Sequence, residues 1–250
     1  DNGLIDIDDL ERLLTDNTIL VSVAYVDSEL GIRQDIDTIS KIVKKHPKCY
    51  FHVDATQAIG KIKVDPTSID FISMSAHKIF GLKGIGLLIK KDNIAIDNLI
   101  HGGKSTTIYR SGTPALPLIC SLMKALELVI PNIDKNYEYV SSLSRKIKDN
   151  LKKYDNIHIN STENSIPYII NFSVIGETFI HTMEEEDIYL STKSACSTSD
   201  VSLSVDSIYH NREISMSSIR ISLSYKNTEE EIDKFIKAFD KIYNKLVFKK

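Results

Sequence analysis

Cysteine is scarce in this chain: Cys49, Cys120 and Cys196 are its only three thiols in 250 residues. So sparse and odd a set is unlike a disulfide framework, and the expected setting is a reducing, cytoplasmic compartment. An excess of either charge is missing too, since 31 Lys and Arg against 34 Asp and Glu leave a formal net charge of −3. That balance gives no electrostatic reason to expect nucleic acid or an anionic membrane as a partner. No uninterrupted apolar run approaches the roughly 20 residues of a membrane span, and the first residues do not form a signal-peptide pattern. Internal repeats and low-complexity tracts are lacking as well; "SSLSRK" and "STSDVSLSVDS" are Ser-rich but short. What is present is the composition of a folded protein, 42% hydrophobic and 26% charged, long enough for one large domain or two modest ones.

The periodicity of the first half alternates between helix and strand. Asp6 is a candidate N-cap, followed by Asp8, Asp9 and Glu11 and by Leu10, Leu13 and Leu14 at helical spacing. "TILVSVAYV" (18–26) is a β-branched apolar run of the buried-strand type. "DIDTISKIVKKH" puts Ile36, Ile39, Ile42 and Val43 on one helical face and ends in Lys44, Lys45 and His46 before Pro47. "CYFHVDA", "DFISMSA" and "GIGLLIKK" follow as strands, so the order predicts a mainly parallel α/β sheet with right-handed crossovers. Beyond residue 113 the pattern is helical from 114 to 153 with an interruption near Pro131. Strands are then predicted at "YIINFSV" and "SSIRISLSY", and a last helix opens on a Thr228/Glu231 capping box. The expected domains are residues 1–125, part of a large α/β domain, and residues 126–250, a smaller α+β domain.

Four stretches carry candidate chemistry. Asp54 directly follows an apolar strand, at the carboxyl end where open α/β sheets bind ligands; its plainer reading is a loop Asp capping the next turn. Gln57, close behind, reads equally as a solvated loop residue. In "SMSAHKIFGLKGIG", Ser75, His77 and Lys78 stand at a second strand end, where Lys78 is either a surface cation or a Schiff-base lysine. Pyridoxal phosphate needs such a lysine, an acidic or Arg partner for its ring nitrogen and donors for its phosphate, and Asp54, Lys78 and the Ser75/His77 pair supply that set. Lys83, in a Gly-punctuated turn, reads as solvated. Cys196 sits in the polar, small-residue stretch "LSTKSACSTSD", where a thiol is exposed and able to react, or is merely incidental. Cys49 and Cys120, in apolar strand and helix contexts, are expected to be buried and inert. Arg220 is a cation in mid-strand, either paired structurally or poised as a carboxylate clamp.

Five motifs in order, "HVDATQAIGKIKVD", "DFISMSAHKIFGLKGIG", "HGG…RSGT", "STKSACS" and "SSIRISLSYKNTEEEID", resemble the NifS/IscS-like cysteine desulfurases of the class V aminotransferase family. Each motif is weak by itself; their joint order along nearly the whole chain is specific. The resemblance implies a pyridoxal 5'-phosphate enzyme of fold type I, the aspartate-aminotransferase-like fold, working as a homodimer. It further implies that Asp54 pairs with the ring nitrogen, Gln57 bonds the phenolic oxygen, Ser75 and His77 hold the phosphate and Lys78 binds the cofactor's carbonyl. Thr113 would reach the phosphate of the other subunit's cofactor, and Arg220 would bind the carboxylate of L-cysteine. Cys196 would take the sulfur as a persulfide and pass it to an acceptor or scaffold protein for iron–sulfur assembly or tRNA thiolation. No metal is implied.

The chain departs from the family where "NNE" is replaced by Asp27, Ser28 and Glu29, so Ser28 stands where an Asn lies beside the cofactor, and where "KSTTIY" follows "HGG". Because it opens on Asp1, it is expected to be the C-terminal two-thirds of such a protein, without the phosphate-binding Gly/Thr turn and ring-stacking His of the family. Alternative expectations are a class V aminotransferase or selenocysteine lyase, and a truncated non-catalytic module for dimerisation or acceptor binding.

Overall fold

A computed structural model describes residues 2–103, 107–174, 179–192 and 201–247. It divides into two compact units. One comprises Ile7–Tyr25 and Ile36–Ile133; the other comprises Asp1–Asp6, Val26–Asp35 and Asp134–Lys250. The division thus falls after Ile133, whereas the linear boundary expected at 125/126 lies inside a helix, and the short segment Val26–Asp35 joins the C-terminal unit.

The first unit is built on a four-stranded sheet of β1 (Leu20–Ala24), β2 (Tyr50–Asp54), β3 (Phe71–Ser75) and β4 (Gly86–Lys90), in that spatial order. Preceding it is α1 (Ile7–Leu13), and α2 (Ile36–Val43) crosses from β1 to β2. β1–β2 and β2–β3 pair parallel, with Val23 opposite Val53 and Val53 opposite Ile72. β4 ("GIGLLIKK") runs antiparallel to β3, so the sheet is mainly parallel, as expected. Only residues 76–85 link the two strands, fewer than the dozen or more that a parallel crossover requires. The period of two separates a core face of Phe51, Val53, Ile72 and Met74 from a face carrying Tyr50, His52, Asp54, Ser73 and Ser75. α2 packs on β2 and buries Ile36, Ile39, Ile42 and Val43, as its spacing predicts. β1 departs from expectation. It is an edge strand in this sheet, and Leu20 is 50% exposed rather than buried.

The chain then forms α3 (Leu116–Val129) and, after a short 3-10 turn at Ile130–Asn132 that contains Pro131, α4 (Ile133–Leu151). The apolar stretch within Leu116–Leu151 would span a bilayer by length and composition alone, and 22% of it is buried. α3 turns Leu122, Ala125 and Val129 inward, and Val129 seats against Gly60.

The second unit holds an antiparallel sheet of β5 (Ile157–Ile159), β6 (Ile169–Val174) and β7 (Ser218–Ser222), with β6 central and wholly buried. Around it lie α5 (Ile180–Glu184), α6 (Leu203–Tyr209), α7 (Arg212–Met216) and α8 (Glu229–Val247). α8 begins on the expected capping box: the Glu231 N–H donates to Thr228 Oγ1 at 3.2 Å, and the Thr228 N–H donates to Glu231 Oε2 at 3.0 Å. Its inner face brings Phe239 against Phe179, with ring centroids 5.2 Å apart, and edge-on to Phe172.

Tyr168, at the entry to β6, is 3% exposed, and among the described residues its hydroxyl has no hydrogen-bond partner. Burial, with lesser contributions from the Tyr137 and Tyr225 phenols, pushes its pKa up to about 12. A phenol whose folded pKa lies above its unfolded value contributes stability that is complete below the unfolded value, near 10, and is lost as pH rises through about 12. Tyr168→Phe should therefore leave stability at pH 7 unchanged or raise it, and should flatten the alkaline loss across that window in urea titrations. An equally steep loss in the variant would contradict this account.

Candidate functional site

In the first unit, parallel pairing brings two strand ends to one edge of the sheet. Asp54 closes β2, and Ser75 closes β3. Asp54 is exposed, and its Oδ1 accepts the Thr56 N–H at 2.9 Å, which fixes the rotamer of the carboxylate. The chain behind it folds into one helical turn through Ala58 and Ile59 N–H groups, both donating to the Ala55 carbonyl. That turn carries Gln57, whose Oε1 accepts from Lys61 Nζ at 2.5 Å. With its oxygen engaged in this way, the NH2 end is the group this amide offers outward.

Beyond β3 the chain makes a single 3-10 turn, Ala76–Ile79. Ala76 and Ile79 are buried beneath it, while His77 and Lys78 are exposed on its outer side. Phe80 ends the turn in the left-handed region, at φ 68. A bulky side chain in that conformation is uncommon, and such strain gathers at functional positions. Lys83 is exposed in the following turn, as expected. A carboxylate, an amide, a Ser/His pair and a lysine on two adjoining strand ends form the donor set pyridoxal phosphate requires, so these residues fit that cofactor. Thr113 lies in this unit as well, exposed and just ahead of α3.

Two further expected residues belong to the second unit. Ser28 lies in a turn closed by Asp27, whose Oδ1 accepts the Glu29 and Leu30 N–H groups at 2.9 and 2.6 Å. Gly31 completes that turn at φ 74. Arg220, in β7, donates from Nη1 to the Ser28 carbonyl at 3.0 Å. Its Nε is buried and, among the described residues, has no partner. A guanidinium held by a carbonyl, with one buried N–H to spare, suits a carboxylate ligand.

Cys196 lies outside the described residues. Cys49 is buried as expected, and burial raises its pKa. Cys120 is exposed, which corrects the expectation for it. α3 buries Leu122, and two helical positions are a 200° rotation, so Cys120 is carried to the opposite side. One feature escaped the sequence reading. Ser22 Oγ bonds His52 Nδ1 at 2.7 Å and His52 Nε2 bonds Ser73 Oγ at 3.0 Å, a polar row on the same sheet face as Asp54. The available signal was the alternation that puts residues 52 and 54 on one side of a strand.

A sequence model of the aminotransferase class-V family matches residues 1–235. The cysteine desulfurase IscS of Buchnera aphidicola subsp. Baizongia pistaciae is 38% identical over 255 residues, covering 98% of this chain and 62% of that protein. A solved NifS-like protein superposes with a TM-score of 0.88 at 32% identity, over 99% of this chain and 66% of that one. The NifS-like protein from Rickettsia africae gives 0.86 at 33% identity, over 97% and 68%. The chain therefore spans rather less than two-thirds of the length of the curated relative it matches.

The turn under Ser28 yields a direct test. A Cβ on Gly31 would stand 2.9 Å from Ile169 Cβ and would need a left-handed backbone. Gly31→Ala should cost roughly 1–3 kcal/mol in urea denaturation. An unchanged midpoint would contradict the geometry of this turn.

Proposed function

The chain belongs to the aminotransferase class-V family, and on that footing we propose that it carries most of a pyridoxal-phosphate-dependent cysteine desulfurase of fold type I. The reaction takes L-cysteine to L-alanine and leaves the sulfur as a persulfide on Cys196. The observation that carries this reading is the grouping of Asp54 with Ser75, His77 and Lys78 where the parallel strands β2 and β3 end.

When bound there, pyridoxal phosphate supplies the electron sink that weakens the bonds at the α-carbon of an amino acid. The chain's own residues do the rest. Asp54, steadied by the Thr56 N–H, holds a proton at the ring nitrogen. Gln57 would donate its NH2 to the ring oxygen, and Ser75 and His77 would donate to the phosphate. Ser28 stands where the family places a cofactor-side Asn and supplies a shorter donor. Lys78 is the residue that would hold the cofactor's carbonyl, and its amine would take the α-proton of the substrate as a general base. Arg220 pairs with the substrate carboxylate. The Cys196 sulfur bonds to the substrate sulfur as the Cβ–S bond breaks. The electron pair of that bond, with the proton given up by the Cys196 thiol, would complete the methyl group of alanine, and Lys78 would return a proton to the α-carbon. In a homodimer Thr113 would reach the phosphate of the neighbouring subunit's cofactor. The persulfide then passes to a sulfur-acceptor or scaffold protein in the reducing cytoplasm, for iron–sulfur assembly or tRNA thiolation.

The class V aminotransferase and selenocysteine lyase readings differ in having less need of the Cys196 thiol. Incubation of the chain with pyridoxal phosphate should give a visible absorption band that Lys78→Ala abolishes. With a dithiol reductant present to discharge the persulfide, sulfide release from L-cysteine should fall by on the order of 10²–10⁴ in that variant. Cys196→Ser should keep the band and lose sulfide release. Retained release would favour a lyase, and the absence of any Lys78-dependent band would favour a non-catalytic module.

A further inference from the structure

The carboxylate subsite assigned to Arg220 has a support that neither the family match nor the motif reading includes. Glu29 is a buried acid, 6% exposed. Its Oε2 accepts from Ser202 Oγ at 2.5 Å. Its main-chain carbonyl accepts from Asn171 Nδ2 at 3.1 Å. Asn171 is fully buried and stands directly opposite Arg220 across β6 and β7. Asp27 repeats the arrangement two residues earlier: its Oδ2 accepts from Ser204 Oγ at 3.0 Å, while its Oδ1 caps the turn. Ser202 and Ser204 belong to the start of α6, the helix that follows the segment carrying Cys196, and Ser202 is its N-cap. Beneath these bonds Leu30 and Ile32 pack with Val205 and Ile214.

The polar contacts therefore grip the turn from two sides, and between them lies Ser28, whose carbonyl receives Arg220 Nη1. Burying a carboxylate is costly unless hydrogen bonds satisfy it, and the Ser202 hydroxyl supplies one that also ties the turn to the start of α6. We infer that Glu29 is a positioning residue: through Ser202 and Asn171 it fixes the Ser28 carbonyl, and so holds the Arg220 guanidinium ready for the carboxylate of an amino-acid substrate. Asp27, through Ser204, is the second arm of the same strut. This inference rests on the proposed function for the identity of the ligand, and on the geometry alone for the strut.

The Nε–H of Arg220 is the probe, because it is buried and reports directly on whether the guanidinium is held still. Its exchange with water, read by nitrogen-15 NMR on the 250-residue chain, should be slow. Glu29→Ala should speed it about tenfold, the size expected for loss of one hydrogen bond to a charged group. Glu29→Gln, which still offers Ser202 an acceptor, should restore most of the protection. Ser204→Ala, a milder change that keeps the folded unit if Glu29→Ala does not, should speed exchange by a few-fold. In the cofactor-loaded chain, Glu29→Ala should weaken L-cysteine binding about tenfold and leave the affinity for pyridoxal phosphate unchanged, a split that general destabilisation would not produce. Unchanged Nε–H exchange in both Glu29→Ala and Ser204→Ala overturns the strut, and so does failure of a folded Glu29→Gln to rescue. If exchange responds as described but L-cysteine never perturbs the Arg220 signal, the strut stands and the carboxylate role of Arg220 falls.

Discussion

Parallel pairing of β2 with β3 is the constraint on which the rest depends. Strands that run the same way end on the same edge, so a carboxylate closing one and a lysine turn closing the next must face the same space. Reversing either strand would move Asp54 and Lys78 to opposite edges of the sheet. The order is enforced from below by Phe51, Val53, Ile72 and Met74, whose alternation with polar residues leaves one register that keeps the core face apolar. The antiparallel β4 adds nothing to the site directly; it fixes where the chain must turn after Ser75. Because only ten residues separate the strands, the turn is a tight 3-10 one, and Lys78 is turned outward while Ala76 and Ile79 are held beneath.

The antiparallel unit solves a different problem, that of keeping a cation in a strand. Arg220 sits in β7 among buried neighbours, and a charge in that position needs a polar partner that does not neutralise it. A backbone carbonyl is such a partner, since it orients the guanidinium while leaving its charge for a ligand. The turn that offers this carbonyl is capped by Asp27, closed by Gly31 and anchored through Glu29 and Asn171. Each of those residues is costly in isolation, as a buried acid, a left-handed glycine or a buried amide. Together they satisfy one another.

Much of this was legible in the sequence because it is periodic or local. The inward face of α2, the capping box of α8, the break at Pro131 and the strand ends at Asp54 and Ser75 all follow from spacing and turn chemistry. What could not be read depends on pairing. The direction of β4 follows from connection length, a weaker cue than its apolar run. β1 reads as a buried strand by composition, yet its place at the edge of this sheet is set by which strands lie beside it. β5 is three residues long, too short for any period to register. The apolar surroundings of Cys120 in the chain point to burial, yet its angle around α3 decides its exposure. The strut of Glu29 and Ser202 joins residues 173 positions apart, and no local pattern announces it.

The account turns on Lys78 being the residue that engages the cofactor. Reductive trapping with borohydride after incubation with pyridoxal phosphate, followed by peptide mapping, tests this on the chain itself. The account predicts that the pyridoxyl label falls on the peptide containing "SMSAHKIFG", at Lys78, and that Asp54→Asn leaves its position unchanged while lowering its yield. A label found on Lys83, or spread among surface lysines with Lys78 unmodified, would contradict it.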